Sequence, residues 1–258
     1  MYGLPTPNRG GPLKVISWNV LRLTGAAAED VAALIHRHRP DLVLLQEATQ
    51  DIAALPKLVG GSFYREPLQG RVYGLAMWSP HALPRPRALR LPVSQVPGRV
   101  PPRLAQIVSY GGIDFANVHL SHGQFLNRWQ LFRIATALNG PAAIIGDYNA
   151  VGPISLPGFK DIGPRQPTHS PATIISFRLD RCMGRGLKCA HGRVLARGPS
   201  DHHPISLELQ VVPALLEHAI HGHPFRSNVE RLIAAVQEKP IRARLRQRLL
   251  REQHRRSA

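Results

Sequence analysis

Three short apolar runs in this sequence end in polar clusters, and a fourth apolar run begins directly after one. The four runs cover residues 14–17, 42–45, 142–145 and 205–209. The adjoining clusters are Trp18-Asn19, Gln46-Glu47, the Gly146–Asn149 tetrapeptide and the Ser200–Pro204 pentapeptide. Apolar runs of this length bounded by turn residues predict buried strands. The chain is therefore predicted to carry four acid, amide or imidazole clusters on loops of a rigid sheet, as many active sites do.

The rest of the sequence predicts further strands and two helices. Strands are predicted over residues 14–20, 41–46, 72–79, 103–110, 113–120, 142–146, 173–181, 187–195 and 205–212, and helices near 28–38 and over 124–138. Gly111-Gly112 indicates a hairpin turn between two of the strands. Many strands with few helices favour an α/β (α+β) fold in which two sheets pack face to face beneath outer helices.

The sequence divides into three parts. Residues 1–12 are predicted to be a flexible terminus, residues 13–212 a single catalytic domain, and residues 213–258 a basic helical extension. Residues 239–258 contain eight Lys or Arg and one acid. Ile241, Leu245 and Leu249 repeat at four-residue spacing among them, which is typical of an amphipathic helix. This helix has three open alternatives: it docks on the core of the protein, on nucleic acid, or on an anionic membrane.

The charge of the chain predicts a polyanionic partner. The net charge is +17, so the protein should attract nucleic acid, anionic lipid or phosphorylated metabolites. No acid occurs between Pro67 and Ile113, whereas arginine recurs through this Pro-rich segment. The segment is either an irregular, solvated connection or an electrostatic rim that guides phosphates.

Cysteine content and hydropathy favour a cytoplasmic protein. Cys182 and Cys189 are the two cysteines, and in a reducing compartment we expect free thiols, although a disulfide between them stays open. Together with His191 they would supply three zinc ligands, one fewer than a structural site needs. Residues 1–12 lack the pattern of a secretory signal, and no apolar run reaches 18 residues.

Carboxylates are scarce in this chain, which makes their positions informative. Of 16 acidic residues, four lie in or near the polar clusters: Glu47, Asp147, Asp180 and Asp201. Phosphodiester hydrolysis needs a cation, an activated water and help for the leaving oxygen. Because hard cations such as Mg²⁺ prefer oxygen ligands, this concentration predicts a metal-assisted phosphoester site.

The order of motifs along the chain resembles the endonuclease/exonuclease/phosphatase superfamily. The motifs are Trp18-Asn19, Gln46-Glu47, Asn117–Leu120, Gly146–Asn149, Arg178–Asp180 and Ser200–His202. The resemblance covers about residues 14–212 and implies a four-layered α/β sandwich, like that of deoxyribonuclease I. His119 stands where the exonuclease III branch of abasic endonucleases has tyrosine, so the resemblance is closer to the branch with a catalytic histidine.

The resemblance implies a metal site. Glu47 resembles the principal metal carboxylate of the family, with Asn19 beside it and Asp201 helping on the metal side. The expected cofactor is Mg²⁺, with Mn²⁺ as a substitute.

The resemblance also implies catalytic roles for five side chains. His202 resembles the general base, and Asp180 resembles the carboxylate that orients its imidazole. Asp147 and Asn149 match the pair that positions the nucleophile and the phosphoryl oxygens. His119 matches a histidine that contacts the phosphate or assists the leaving group.

Three functions follow from these features. A metal-dependent nuclease is favoured, since the basic charge suits a phosphate backbone. A phosphodiesterase acting on phospholipid or another small phosphoester at an anionic membrane is the alternative, and exposed apolar residues around the site would favour it. A binding module without activity is disfavoured, because each expected catalytic residue type is present.

Overall fold

The computed structural model describes residues 11–94, 101–172 and 175–215. The predictions of a flexible N-terminus over 1–12 and of a basic helix within 213–258 therefore lie almost wholly outside the described residues. In chain order, the elements are β1 (Leu13–Asn19), α1 (Ala28–His38), β2 (Leu42–Ala48), a 3-10 helix (Gln50–Ala54), α2 (Leu55–Val59), β3 (Ser62–Pro67), β4 (Gly74–Ser79), β5 (Arg87–Arg90), β6 (Leu104–Tyr110), β7 (Ile113–His119), α3 (Gln124–Ala135), β8 (Ala142–Asp147), β9 (Lys160–Asp161), β10 (His169–Ala172), β11 (Ile175–Phe177), β12 (Asp180–Arg185), β13 (Leu187–Val194) and β14 (Ile205–Val211).

The strands form two six-stranded mixed sheets and one small hairpin. Sheet 1 has the order β13-β14-β1-β2-β4-β3, and sheet 2 has the order β5-β6-β7-β8-β12-β9. Each sheet contains one parallel pair near its centre, β1–β2 in sheet 1 and β7–β8 in sheet 2. The other neighbours are antiparallel, and β10 pairs with β11 outside both sheets. This topology brings the carboxyl ends of β1 and β2 to one edge of sheet 1, and those of β7 and β8 to one edge of sheet 2.

The core has three apolar layers. Val15 and Leu44 of sheet 1 belong to the same cluster as Phe115 and Ile145 of sheet 2, so the two sheets pack face to face. A second cluster joins the opposite side of sheet 1 to α1, and a third joins sheet 2 to α3. Alternate side chains of a buried strand point to opposite faces, so each sheet has two apolar faces to cover. The predicted four-layered α/β sandwich is confirmed.

Two predictions about the secondary structure were wrong. The single strand predicted over 173–181 is two elements, because the chain leaves the β10–β11 hairpin at Phe177 and enters sheet 2 at Asp180. The Thr168 hydroxyl accepts hydrogen bonds from the backbone N–H groups of Leu179 (3.1 Å) and Asp180 (2.9 Å) at this break. The segment predicted as an irregular connection contains β5, which extends sheet 2 beyond β6.

The two thiols are free, as expected. Cys182 is buried on β12 in sheet 2, and Cys189 is partly buried on β13 in sheet 1. The β12–β13 connection thus passes from one sheet to the other instead of forming a hairpin. Among the residues that the structure describes, every helix is too short or too polar to span a bilayer.

Gly146 shapes the end of β8, where the polar cluster begins. Its φ is +141°, and a Cβ atom at this position would lie 2.1 Å from the backbone oxygen of Val118. We expect Gly146→Ala to lower the free energy of unfolding by about 3 kcal/mol or more, since backbone strain adds to a clash between paired strands. Urea unfolding will measure this.

Gly152→Ala is the matched control for that variant. Gly152 also has a positive φ, +85°, but a Cβ atom there would meet nothing within 4 Å. Equal unfolding midpoints for the two variants would contradict the role assigned to the close approach of β7 and β8.

Candidate active site

The polar clusters meet at the edge where the central parallel strands end. Asn19 ends β1 and Glu47 lies near the end of β2 in sheet 1, while His119 and Asp147 end β7 and β8 in sheet 2. The pairing of His119 with Asp147 sets the register of β7 and β8 at this edge. Both sheets therefore direct functional side chains to the same end of the sandwich.

Asp147 is the centre of the cluster. Its Oδ2 accepts a hydrogen bond from Asn19 Nδ2 at 3.1 Å and lies 3.5 Å from His119 Nε2 and 3.8 Å from His202 Nε2. Its Oδ1 accepts a hydrogen bond from the backbone N–H of Asn149 at 2.8 Å. One buried carboxylate thus connects four of the other predicted site residues.

The electrostatic environment of Asp147 favours a bound cation. Burial raises its pKa above the ordinary value, and the neighbouring charge of Asp180 acts in the same direction. The charge of His202 and the hydrogen bonds from Asn149 and Asn19 oppose this shift. Two carboxylates in one buried cluster repel each other, and positive charge brought to the site would relieve that repulsion.

Asp180 and His202 form a buried pair. Asp180 Oδ2 lies 2.8 Å from His202 Nδ1, and the Asp180 side chain is fully buried. Burial alone would lower the pKa of His202, but Asp180, Asp147 and Asp201 outweigh burial and raise it to about 9. The pair fixes the imidazole so that Nε2 faces Asp147.

Hydrogen bonds from sheet 1 hold the backbone of His202. The indole Nε1 of Trp18 donates to the backbone oxygen of His202 at 3.0 Å, and the backbone N–H of His202 donates to Ser200 Oγ at 3.1 Å. Ser200 Oγ in turn donates to the backbone oxygen of Asn19 at 2.6 Å. The imidazole is therefore anchored to the end of β1, beside the Asn19 amide.

Glu47 is held in a strained conformation with one oxygen turned to the cluster. Its φ is +55°, and the pairing of β2 with β4 is irregular between Leu45 and Ala48. Oε2 accepts hydrogen bonds from the backbone N–H and from Nη1 of Arg22, both at 3.2 Å. Oε1 lies 3.9 Å from His119 Nε2, which is beyond hydrogen-bond distance. Strain of this kind in a non-glycine residue often marks a functional position.

The oxygen donors near Glu47 fit a hard divalent cation. Glu47 Oε1, the Asn19 amide and Asp147 offer oxygen ligands of the type that Mg²⁺ prefers. The amide oxygen of Asn19 also accepts a hydrogen bond from the backbone N–H of Leu21 at 3.1 Å.

Asp201 lies beside the imidazoles of His169 and His202. Its Oδ2 is 3.3 Å from His169 Nε2, and His169, Asp201 and His202 offer ligand atoms that lie within 4.8 Å of one another. Within the described residues, no hydrogen bond or ion pair joins Asp201 to Glu47 or Asn19. The assignment of Asp201 to the metal side, together with Glu47 and Asn19, stays a prediction.

The structure adds His169 to the site with a definite position. The imidazole of His169 lies against that of His202, with 4.5 Å between ring centroids and 54° between the ring planes. Thr168 hydrogen-bonds to the backbone of Asp180 instead of facing the cluster. No sequence pattern near His169 predicts this contact, because it depends on an isolated β-bridge between His169 and His202, which are remote in the chain.

Arg103 is a site residue that the sequence marked only as one of several arginines in the basic Pro-rich segment. It precedes β6, which is antiparallel to β7, so it lies at the same edge as His119. Its side chain is almost fully buried, with 7% of the residue exposed, yet Nε and Nη1 have no hydrogen-bond partner. Burial lowers its pKa, whereas Tyr73, Asp147 and Glu47 oppose that shift.

His119 is kept neutral by its surroundings. Burial lowers its pKa well below the ordinary value, and the charges of Arg103 and His202 add to the effect. Its Nδ1 has no hydrogen-bond partner in the described residues. His122, two residues before the start of α3, is exposed.

Known structures share this fold. No curated protein sequence matches the chain. A functionally unknown conserved protein from Enterococcus faecalis is 20% identical, with a TM-score of 0.62, over 77% of this chain and 100% of that one. D. rerio TDP2, humanized by 14 mutations, is 18% identical (TM-score 0.61; 78% and 99% covered). The mannosyl-6-phosphatase of Bacteroides thetaiotaomicron is 18% identical (TM-score 0.62; 76% and 99% covered).

The sequence itself matches a family of phosphoester-hydrolysing enzymes. The match to the Endonuclease/Exonuclease/phosphatase family runs over residues 16–202, which is most of the chain and includes every predicted site residue, from Asn19 to His202. The chain therefore belongs to the endonuclease/exonuclease/phosphatase family.

Proposed function

We propose that the protein is a divalent-metal-dependent phosphodiesterase in which His202 activates the attacking water. The buried Asp180–His202 pair is the observation that carries this proposal, since it leaves Nε2 free to face the Asp147 cluster. An imidazole oriented by a carboxylate is a common general base. The proposal agrees with the hydrolytic chemistry of the family.

The side chains divide the work of hydrolysis. His202 Nε2 takes a proton from water, and Asp180 stabilises the imidazolium that results. Asp147 and Asn149 orient the nucleophile, and neutral His119 lies where it can hydrogen-bond the phosphoryl group or the leaving oxygen. Mg²⁺ or Mn²⁺, held by Glu47 and Asn19, would supply positive charge to the phosphoryl oxygens.

Arg103 would receive a phosphoryl oxygen. A buried guanidinium with two unpartnered N–H groups is costly for the free protein, and a phosphate is the group that a guanidinium binds best. We expect Arg103→Lys to lower kcat/KM by about 10²–10³-fold, as for the loss of a donor to a developing oxyanion. Arg185→Lys is the control, because Arg185 instead donates to the backbone oxygens of Leu138 and Gly140. Steady-state kinetics with equal losses in both variants would contradict the assignment.

Two substrate classes are compatible with this chemistry. Nucleic acid is one candidate, and the observation that favours it is the net charge of +17. Phospholipid is the second candidate, and the observation that favours it is the exposure of apolar side chains around the site, among them Leu23 and Phe125.

Parallel assays test the proposal. The full-length protein is incubated with supercoiled plasmid, single-stranded RNA and phospholipid vesicles, with Mg²⁺ or with chelator, beside a His202→Ala control. We expect phosphodiester hydrolysis of one class that requires the metal and His202. Hydrolysis that persists in chelator, or in the control variant, would refute the proposed mechanism.

A further inference from the structure

Large exposed apolar side chains are concentrated at the catalytic edge. The described residues include six such side chains; four of them lie on loops at the catalytic edge, and a fifth, Phe125, lies in the first turn of α3 at the same edge. We call these five the apolar rim: Leu23 (78% exposed), Val72 (62%), Val93 (51%), Phe125 (93%) and Val151 (62%). The sixth, Leu58, is on α2. Scattered exposed apolar residues are normal, but their concentration on one functional edge indicates an interaction surface.

Strand register places each rim residue at this edge. Leu23 follows β1, Phe125 follows β7 and Val151 follows β8, the strands that end in Asn19, His119 and Asp147. Val72 precedes β4, whose first residue pairs with the last residue of β2. Val93 follows β5, whose last residue pairs with the first residue of β6.

Contacts between loops connect the rim residues in groups. The guanidinium of Arg22, beside Leu23, lies 4.7 Å from the ring centroid of Tyr73, beside Val72. Gln130 of α3 donates to the backbone oxygen of Pro92 at 2.9 Å, which ties the Val93 segment to the helix that carries Phe125. The Asn149 amide donates to the backbone oxygen of Leu120 at 3.0 Å, which ties the loop of Val151 to the end of β7.

The backbone around Leu23 supports a functional reason for its exposure. Leu23 has a φ of +68° and Leu21 a φ of +54°, a conformation that is unfavourable for leucine. A solvated loop with no partner would have lower free energy with Asn or Gly at such positions. Backbone strain that exposes a leucine to solvent therefore raises the free energy of the free protein with no compensating burial of that side chain.

The charge around the rim is positive. The described loops 20–27, 68–73, 91–94, 120–123, 148–159 and 195–204 contain one acidic residue, Asp201, which belongs to the site. Arg22, Arg71 and Arg197 on these loops are exposed. An apolar tip with basic neighbours is the pattern of a surface that binds the interface of an anionic bilayer.

We propose that the apolar rim seats the catalytic edge on an anionic phospholipid surface, so that headgroup phosphodiesters enter the site directly. This proposal rests on the phosphodiesterase function and specifies its substrate class. Four of the five rim side chains are aliphatic and cannot stack on bases, which is how apolar residues of single-strand binding proteins act. Transfer of aliphatic side chains from water to the acyl region of a bilayer lowers the free energy of the system.

Vesicle binding in chelator tests the rim without catalysis. The full-length protein, the triple variant Leu23→Asn, Phe125→Ser and Val151→Ser, and the control Leu58→Ser are sedimented with phosphatidylcholine vesicles with and without phosphatidylserine. We expect the wild type and the control to bind the anionic vesicles, and the triple variant to bind about tenfold more weakly or worse. Asn is chosen at position 23 because it tolerates positive φ.

Duplex DNA binding and a soluble substrate complete the test. We expect the triple variant to keep its affinity for DNA and its metal-dependent hydrolysis of bis(p-nitrophenyl) phosphate, which shows that the site is intact. Equal vesicle binding by wild type and triple variant would overturn the rim proposal, and so would a loss confined to DNA binding. Vesicle binding that depends on the rim, in a wild-type protein that hydrolyses no phosphodiester, would refute the proposed function and leave the rim proposal standing.

Discussion

His202→Ala should lower kcat by about 10²–10⁴-fold, the usual effect of removing a general base. The substitution deletes the ring nitrogen that faces Asp147 at 3.8 Å and leaves Asp180 buried without its 2.8 Å partner. Single-turnover kinetics under metal-saturating conditions separate this loss of chemistry from a loss of substrate binding. A rate within about threefold of wild type would show that another group activates the water.

His203→Ala is the matched control. His203 is adjacent in sequence, but its Nδ1 lies 3.0 Å from the backbone oxygen of Leu195, and no contact with the Asp147 cluster is found among the described residues. Its removal should leave kcat near the wild-type value. Asp180→Asn should reduce kcat less than His202→Ala, since it disturbs the orientation of the imidazole without deleting it.

The pH dependence follows from the charge state of His202. Because a base must be neutral to accept a proton, kcat should rise with pH and level off above the pKa of His202. In the metal-free protein the surrounding carboxylates raise that pKa to about 9. A divalent cation beside Asp147 offsets part of their field, so the midpoint with metal should lie below this value. Asp180→Asn removes the nearest negative charge and should move the midpoint further down.

The local sequence pattern was sufficient to predict the α/β sandwich. Buried parallel strands are continuous apolar runs, and those of β1, β2 and β8 ended in polar residues that the fold brings together. Even so, the division of 173–181 into β11 and β12 could not be read from the sequence, since neither Gly nor Pro interrupts the segment. It follows from pairing with β8, which is remote in the chain.

Residues that act through remote contacts were the ones that sequence reasoning placed poorly. Arg103 is one of many arginines, and its importance lies in its burial and its unpaired N–H groups. His169 reaches His202 through an isolated bridge, and Asp201 Oδ2 lies 3.3 Å from His169 Nε2. Such contacts depend on how loops from different strands meet, whereas strand prediction depends on neighbours in the chain.

Glu47→Gln should weaken Mg²⁺ and Mn²⁺ binding strongly and abolish activity at metal concentrations that saturate the wild type. Oε2 is occupied by the backbone N–H and Nη1 of Arg22, so Oε1 is the oxygen left for a cation. Glutamine keeps the size of the side chain and removes the charge that attracts the cation. Isothermal titration calorimetry measures the affinity directly, and chelation of the wild type should abolish activity that added Mg²⁺ or Mn²⁺ restores.

Thermal unfolding gives a readout of metal binding that does not depend on turnover. A cation that binds only the folded state stabilises it by about 2.7 kcal/mol when its free concentration is about 100 times its Kd. Mg²⁺ or Mn²⁺ should therefore raise the Tm of the wild type. Without metal, Glu47→Gln should unfold at a similar or higher temperature, because it removes one carboxylate from a buried cluster that already contains Asp147. Glu208→Gln, on β14, controls for the loss of one negative charge and should keep the full metal-dependent shift. An equal shift in Glu47→Gln and wild type would place the cation elsewhere, with the Asp201, His169 and His202 group as the next candidate.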